Sequence, residues 1–355
     1  MRLVVTGGGT GGHVFPALEV ARHAVEEGAE VCYFGSLRGI ESRECKKAGI
    51  PFRGFRSSPL QRPFTPSGIR SALGILRSSA GARKALREFQ PALVFSTGGY
   101  AAAPILAAAR TLGIPIILHE QNTVPGRTNV VLSKFARVAC LVFEQAATYF
   151  ECETTVTGMP IRRELVEAAG REPGERFLTV ALGGSQGSAA LNEAFLTLAM
   201  QVGTDQEEWL QVTGPSNFET CATALARVAA PPNFRQKPFL EAPELAEVLR
   251  RADLVISRAG TGMLCELALF GIPSVLIPYP HAFANHQYEN AKVIEAMGGA
   301  IVLPQPQLTP ENLAAAWRQW RDDEGKRAAA RTALQSWVVR DATERIWHII
   351  RANAR

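Results

Sequence analysis

Short apolar runs alternate with longer stretches of mixed polarity along most of this chain. Leu3–Thr6, Glu30–Phe34, Ala92–Ser96, Ile114–Leu118 and Arg137–Val142 are rich in branched or aromatic side chains and are bounded by glycine, proline or polar residues. Runs of that kind predict strands buried on both faces of a sheet. The stretch from about Phe15 to Glu27 carries a helical period and follows the first run directly. Strand, glycine turn, helix, strand is the βαβ plan of a parallel sheet. The plan restarts after Gly158, with a strand at Phe177–Leu182, a helix at Ala189–Met200, and strands at Trp209–Thr213, Leu254–Ser257 and Ser274–Pro278. The two halves share this supersecondary plan without repeating each other's sequence. About Lys326 to Ile350 reads as one amphipathic helix able to pack back across both halves.

A chain of 355 residues holds two domains at roughly 100–200 residues each. The expected division is 1–157, 158–335 and a terminal helix 336–355 that returns to the first domain. The fold class is α/β. Ligands of open parallel sheets lie beyond the carboxyl ends of the strands, and two such sheets facing each other would make a central cleft.

Composition narrows the picture. A hydrophobic fraction of 46% and a charged fraction of 20% suit two packed cores rather than a disordered chain. The six cysteines are scattered, with no CxxC pair, which predicts reduced thiols in a cytosolic protein. Met1–Thr6 is too short for a signal-peptide core. The longest apolar region, Ala101–Leu118, is interrupted by Pro104, Arg110, Gly113 and Pro115, so no membrane-spanning helix is expected. The net charge is +5, but residues 51–90 hold eight basic residues (Arg53, Arg56, Arg62, Arg70, Arg77, Arg83, Lys84, Arg87) against Glu88 alone. Interleaved with them are Phe52, Phe55, Leu60, Phe64, Ile69, Leu73, Ile75 and Leu76. Such a segment suits an anionic membrane face, at about 1 kcal/mol per basic residue near the lipid. It equally suits a solvated helix with a core-facing stripe.

Candidate chemistry sits in the turns after the strands. Gly7-Gly8-Gly9-Thr10-Gly11-Gly12-His13 follows a strand and opens a helix, where free N–H groups and absent side chains favour an anion or a close backbone approach. It fits neither a dinucleotide fingerprint with its acidic ribose ligand nor a Walker A loop. Gly183-Gly184-Ser185-Gln186-Gly187-Ser188 has the same context in the second half. In Ser257-Arg258-Ala259-Gly260-Thr261-Gly262-Met263-Leu264-Cys265-Glu266, the carboxylate of Glu266 could take two hydrogen bonds from a ribose diol, or only complement the helix dipole. His119-Glu120-Gln121-Asn122 follows a buried strand. Arg162, in Gly158-Met159-Pro160-Ile161-Arg162, is placed to face a diphosphate or to be an exposed linker cation. The amide of Asn285-His286-Gln287 could hold sugar hydroxyls. Neither DxD nor HExxH occurs, and Asp322-Asp323 lie in a charged helical stretch. No metal site is expected, and a helix dipole with a basic residue would take the place of Mg²⁺ at a leaving diphosphate.

In this order the motifs GGGTGGHVFPAL, HEQN with PGRTN, GMPIR, GGSQG, SRAG…E and NHQ resemble the MurG family of glycosyltransferases, from the first glycine loop to at least Ala300. The resemblance implies the GT-B fold: two Rossmann-like domains, a cleft, and a last helix returning to the first domain. It implies inverting transfer of GlcNAc from UDP-GlcNAc to the MurNAc C4 hydroxyl of undecaprenyl-pyrophosphoryl-MurNAc-pentapeptide (lipid I), giving lipid II in peptidoglycan synthesis. No cofactor is implied, UDP-GlcNAc being a co-substrate. Position by position, Thr10, Gly11, Gly12 and Asn122 match donor contacts, and Arg162 and Ser185 match residues facing the diphosphate. Leu240 matches a backbone contact to uracil, Glu266 the ribose ligand, and Gln287 the reader of the GlcNAc hydroxyls. His13 matches the histidine proposed as base, its other role being to order the loop. Three positions depart from the family pattern: Met263 stands for a usual Thr, Ser96 for the first Gly of Gly-x-Gly-Gly-Tyr, and Ala284 for a common Asp. These bear on donor affinity.

The implied setting is peripheral, on the cytoplasmic face of the plasma membrane. The partners are UDP-GlcNAc, lipid I, an anionic membrane surface through residues 51–90, and by pathway the enzyme that forms lipid I. No nucleic acid is expected. Rival readings are a UDP-GlcNAc 2-epimerase, a non-catalytic sugar-nucleotide-binding membrane protein, and, with an ill-fitting fingerprint, an NAD-dependent oxidoreductase.

Overall fold

The computed structural model describes residues 1–37, 39–56, 66–184 and 187–355, with no side chains described in 66–76. Two compact units result: Met1–Ile161 with Asp341–Arg355, and Arg162–Arg340.

Unit 1 holds strands β1 (Arg2–Thr6), β2 (Glu30–Ser36), β3 (Phe52–Phe55), β4 (Leu93–Ser96), β5 (Ile116–Glu120), β6 (Val138–Leu141) and β7 (Glu153–Val156). They form one parallel sheet in the order β3-β2-β1-β4-β5-β6-β7. Alternate side chains of a strand point to opposite faces, and the core divides accordingly. Leu3, Val5, Tyr33, Leu93, Phe95 and Ile117 pack one face against Val14, Ala17 and Leu18 of the helix Gly11–Glu26. Val4, Phe34, Val94, Ile116 and Leu118 pack the other against Ala82, Ala85, Leu86, Ile105 and Leu106. The chain comes back to this unit for its last helix, Ala342–Asn353, which buries Ile346, Trp347 and Ile350 in the first cluster. The Trp347 ring meets His23 edge-on at 6.2 Å. Each large apolar side chain so buried is worth about 1.5–3 kcal/mol.

Unit 2 holds β8 (Phe177–Leu182), β9 (Glu207–Val212), β10 (Phe234–Lys237), β11 (Leu254–Ser257), β12 (Ser274–Leu276) and β13 (Ala300–Val302). All pairs are parallel, in the order β10-β9-β8-β11-β12-β13. Its core is aromatic. Trp209 stacks on Trp317 at 5.5 Å, Phe195 meets Trp209 edge-on at 5.6 Å, and Trp317 Nε1 donates to Thr179 Oγ1 at 2.9 Å.

The structure corrects three expectations. β3, β7, β10 and β13 are not among the strands expected above, and all four are sheet edges; β13 is apolar (Ala300–Val302), while the other three are short and mixed. An edge strand has one neighbour and an open flank, so its sequence can be short and polar, as in Glu153–Val156 and Phe234–Lys237. The helix expected over Lys326–Ile350 is two helices, Glu324–Trp337 and Ala342–Asn353. Val338, at φ −70° and ψ 134°, is extended, and the β-branched pair Val338-Val339 favours that break. Asp341 then starts the second helix and accepts from Arg345 at 2.9 Å. Third, His119 and Glu120 end β5 rather than following it. All six cysteines are free. No described helix is long and apolar enough to cross a membrane.

Candidate active site

Each sheet reverses its strand order once, between β1 and β4 in unit 1 and between β8 and β11 in unit 2. Ligands of open α/β sheets bind at such points, beyond the carboxyl ends of the strands. The glycine loops lie there: Gly7–Gly12 after β1, Gly98-Gly99 after β4, Gly183–Gly187 after β8, and Gly260 after β11.

In unit 1, Thr10 caps the helix Gly11–Glu26 in an extended conformation without a side-chain cap bond, and no acidic residue occupies the first turn. No side chain of the helix's own first turn compensates the positive end of its dipole, which suits an anion site. Thr10 and Gly12 are exposed and His13 is half-buried. His13 is tied to Thr97 twice: its Nδ1 lies 2.8 Å from the Thr97 carbonyl, and Thr97 Oγ1 donates to the His13 carbonyl at 2.7 Å. A carbonyl only accepts, so His13 carries a proton on Nδ1, and the neutral tautomer this bond selects has Nε2 as its acceptor. The close fit depends on Gly99 (φ +82°), where a Cβ would fall 2.0 Å from the Gly8 carbonyl oxygen and 3.2 Å from His13 Cδ2. Beneath the loop the fully buried Glu41 accepts from Gly9 N at 3.2 Å.

The segment after β5 is organised by Glu120, only 1% exposed. Its Oε1 accepts from Asn122 N (3.0 Å) and Asn122 Nδ2 (3.2 Å), and its Oε2 from Gly126 N (3.1 Å) and Asn129 Nδ2 (2.9 Å). A carboxylate with four donors is a rigid clamp, and it fixes Asn122, itself half-buried. His119 is fully buried, and burial pushes its imidazole down to about 4 although the Gly158 carbonyl bond opposes the shift. Its ring is therefore neutral.

In unit 2, Gly187 (φ +73°) runs so close to β9 that a Cβ would meet the Thr213 carbonyl oxygen at 2.1 Å. Ser188 caps the following helix, its hydroxyl accepting from Leu191 N. Ser185, expected at the diphosphate, lies outside the described residues, as does Gln186. Arg258 fastens the loop. It donates to Ser188 Oγ and Gln305 Oε1, both at 2.7 Å, and to the carbonyls of Ile277 (3.1 Å) and Pro278 (3.2 Å).

Two residues expected to meet different parts of a donor are paired with each other. Arg162 Nη2 donates to Glu266 Oε1 at 2.9 Å, with the side chains 26% and 13% exposed. Burial raises the Glu266 carboxyl above its ordinary range, and Arg162 opposes that. Met263, half-buried, lies one turn before Glu266 on the helix Thr261–Phe270. Leu240 is buried just ahead of the helix Ala242–Arg251, which a Glu241/Glu244 capping box opens. Gln287 Oε1 accepts from Tyr279 N at 2.9 Å, which fixes which end of the amide is the donor. Before it, Ala284 (φ 48°) and Asn285 (φ 56°) are both left-handed.

The structure thus brings Thr10, Gly11, Gly12 and His13 together at the switch point of unit 1, fixes Asn122 on Glu120 after the neighbouring strand β5, and joins Arg162 to Glu266 within unit 2. The supports Glu41, Glu120, Thr97 and Arg258 carry no assigned role in the sequence reading. Glu120 and Arg258 lie inside motifs singled out there, whereas nothing in the sequence marks Glu41. Among the described residues no group of three or more His, Cys, Asp or Glu side chains could hold a metal ion. The segment read as basic and apolar is only partly described. Within it Ala82, Ala85 and Leu86 face the core while Arg83, Lys84 and Arg87 are exposed, and Arg53 pairs with Glu88 at 2.8 Å. Leu60, Phe64 and Arg62 lie outside the described residues, as do the side chains of Ile69, Arg70, Leu73, Ile75 and Leu76.

Two parallel-sheet units of this topology, each with a glycine loop and a helix N-terminus at its switch point, have the layout of a GT-B glycosyltransferase. Family models agree: the glycosyltransferase family 28 N-terminal domain matches residues 3–140 and the family 28 C-terminal domain matches 178–346. The chain belongs to glycosyltransferase family 28. Over 99% of its length it is 35% identical to a Bacillus licheniformis protein, of which 98% is covered, named UDP-N-acetylglucosamine--N-acetylmuramyl-(pentapeptide) pyrophosphoryl-undecaprenol N-acetylglucosamine transferase. The crystal structure of Acinetobacter baumannii MurG superposes with a TM-score of 0.81 at 28% identity, covering 99% of each chain. A Listeria monocytogenes protein assigned as a UDP-N-acetylglucosamine 2-epimerase superposes with a TM-score of 0.71 at 13% identity, over 99% of this chain and 96% of that one. The last likeness shows the shared fold alone.

Proposed function

We propose that this protein transfers GlcNAc from UDP-GlcNAc to the MurNAc C4 hydroxyl of undecaprenyl-pyrophosphoryl-MurNAc-pentapeptide, forming lipid II with inversion from α to β. The observation that carries this reading is end-to-end identity of 35% with a transferase named for that donor and acceptor. The epimerase reading rests on fold likeness at 13% identity.

The reaction is a single displacement. His13 Nε2, left bare because Nδ1 donates to Thr97, takes the proton of the acceptor hydroxyl. That oxygen attacks the anomeric carbon from the face opposite UDP. The N–H groups of the Gly183–Gly187 loop, Ser185 and Arg162 stabilise the departing diphosphate. Glu266 binds the ribose diol, the Leu240 backbone holds the uracil, Gln287 reads the GlcNAc hydroxyls, and Thr10, Gly11, Gly12 and Asn122 complete the donor contacts. Gly183–Gly187 also has the Gly-x-Ser-x-Gly spacing of a hydrolase nucleophile elbow, but a single displacement uses no enzyme nucleophile.

On this reading residues 1–157 bind the acceptor and the membrane, and 158–335 bind the donor. The exposed Arg83, Lys84 and Arg87 support docking of segment 51–90 on an anionic membrane, which sets the protein peripherally on the cytoplasmic face, beside the enzyme that forms lipid I. No cofactor or metal takes part.

The reading separates from its rivals with substrates alone. Given only UDP-GlcNAc, the protein leaves the sugar nucleotide unchanged; given a lipid I analogue as well, it releases one UDP per acceptor consumed. UDP-ManNAc formed without acceptor would replace the transferase with an epimerase. Donor binding with no turnover in either mixture would leave a binding protein.

A further inference from the structure

The candidate base is the end of a buried polar chain. The Thr97 carbonyl that receives His13 Nδ1 also receives Gln121 Nε2 at 3.1 Å. The same Gln121 amide nitrogen lies 2.9 Å from His119 Nδ1, with the His119 carbonyl at 3.2 Å. His119 Nε2 lies 3.0 Å from the Gly158 carbonyl. Gln121 is 3% exposed and His119 fully buried. The acceptors in the chain decide which nitrogens carry protons. Gly158 offers a carbonyl, so His119 is protonated on Nε2 and its Nδ1 accepts. Gln121 must then turn its NH₂, not its oxygen, toward both His119 and Thr97. Its oxygen is buried without a hydrogen-bond partner among the described residues. A buried acceptor left unpaired costs stability, so the amide is held in this orientation by its donor side.

We propose that Gln121 and His119 are positioning residues for His13: their hydrogen bonds, anchored on the Gly158 carbonyl, hold the Thr97 carbonyl where it fixes the Nδ1–H tautomer and leaves Nε2 as the acceptor. This rests on His13 being the base. The neutral state that burial imposes on His119 agrees with the chain, because a protonated His119 would set an N–H against the Gln121 NH₂. The arrangement assigns the Gln121 amide a task distinct from donor binding.

The test is the ¹⁵N–¹H spectrum of the histidine side chains in full-length protein labelled with ¹⁵N-histidine, at pH 7, with His13 assigned by its loss in His13→Gln. In the unmodified protein, His13 carries its proton on Nδ1 and His119 on Nε2; the opposite tautomer at either ring overturns the proposal without any positioning variant having to fold. Gln121→Met removes both donors at similar volume. In it the Nε2–H tautomer of His13 becomes populated, and kcat falls about tenfold while KM for UDP-GlcNAc stays within about twofold. A His13 that remains wholly Nδ1–H in Gln121→Met refutes the relay. A changed tautomer with unchanged kcat keeps the relay and removes His13 as base, so the two readings fail separately.

Discussion

Arg162 and Glu266, 104 residues apart in sequence, meet at 2.9 Å in unit 2. Neither side chain is more than 26% exposed, so each is the other's compensation for lost water. On the proposed reading, donor binding shares this pair between diphosphate and ribose rather than using two independent groups. Glu266→Gln leaves Arg162 without its counter-charge and removes the stronger acceptor for the diol. UDP binding should weaken about tenfold or more, the worth of one charge-assisted hydrogen bond, as measured by calorimetry. Unchanged affinity would remove Glu266 from the donor site.

The same pair predicts a pH dependence. Burial raises the Glu266 carboxyl above its ordinary 4.5 and Arg162 pulls it back. Arg162→Met therefore raises it further. A carboxyl whose folded pKa lies above its unfolded value contributes fully below the unfolded value, and that contribution is lost as pH rises through the folded one. The variant should be less stable than wild type by about 2 kcal/mol near pH 8, and by less near pH 5. Equal destabilisation at both pH values would mean that Glu266 does not feel Arg162.

His119 gives the opposite sign. Its folded pKa of about 4 lies below the ordinary 6.5, so its contribution is present above pH 6.5 and lost as pH falls from there toward 4. The loss is about 3 kcal/mol at roughly 1.4 kcal/mol per pKa unit. The protection factors of the β4 and β5 amides, which are the intrinsic hydrogen-exchange rate at each pH divided by the rate observed by mass spectrometry, should fall across that window. His119→Asn should flatten the response; a response as steep as wild type would place the titration elsewhere.

Met263 stands where the resemblance expects a threonine, half-buried one turn before Glu266. Met263→Thr adds a hydroxyl on the same helix face. One hydrogen bond worth about 1 kcal/mol tightens UDP binding about fivefold. Weaker or equal binding would show that this side chain is not directed at the donor.

Ala284 is left-handed at φ 48°, a conformation that costs a residue with a Cβ about 1 kcal/mol or more. Ala284→Gly should stabilise unit 2 by roughly 0.5–1 kcal/mol, read as a shifted urea midpoint. A loss of stability would show that the alanine methyl packs usefully despite the strain.

The central strands and the glycine loops were legible because buried parallel strands must be apolar and switch-point turns need residues without side chains. Leu3–Thr6 with Gly7–Gly12, and Phe177–Leu182 with Gly183–Gly187, carry both signals in adjacent residues. The edge strands were not, since Phe52–Phe55 and Phe234–Lys237 satisfy one neighbour and tolerate polar residues. The site was legible as separate motifs and illegible as a network. Nothing in the spacing says that Arg162 finds Glu266 or that Gln121 shares an acceptor with His13, because each contact is made only after distant strands have set their register; the four donors of Glu120 are local, and their convergence depends on the turns between Asn122 and Asn129. Glu41 has no motif at all, and its role under Gly9 exists only in the fold.

The central claim is tested most directly by incubating the purified protein with labelled UDP-GlcNAc and a lipid I analogue in the presence of EDTA. The account predicts a labelled β-linked disaccharide lipid, formed with EDTA as fast as without it. Product that appears only when Mg²⁺ is restored would keep the transferase and contradict the metal-free displacement, and no disaccharide lipid under either condition would contradict the transferase itself.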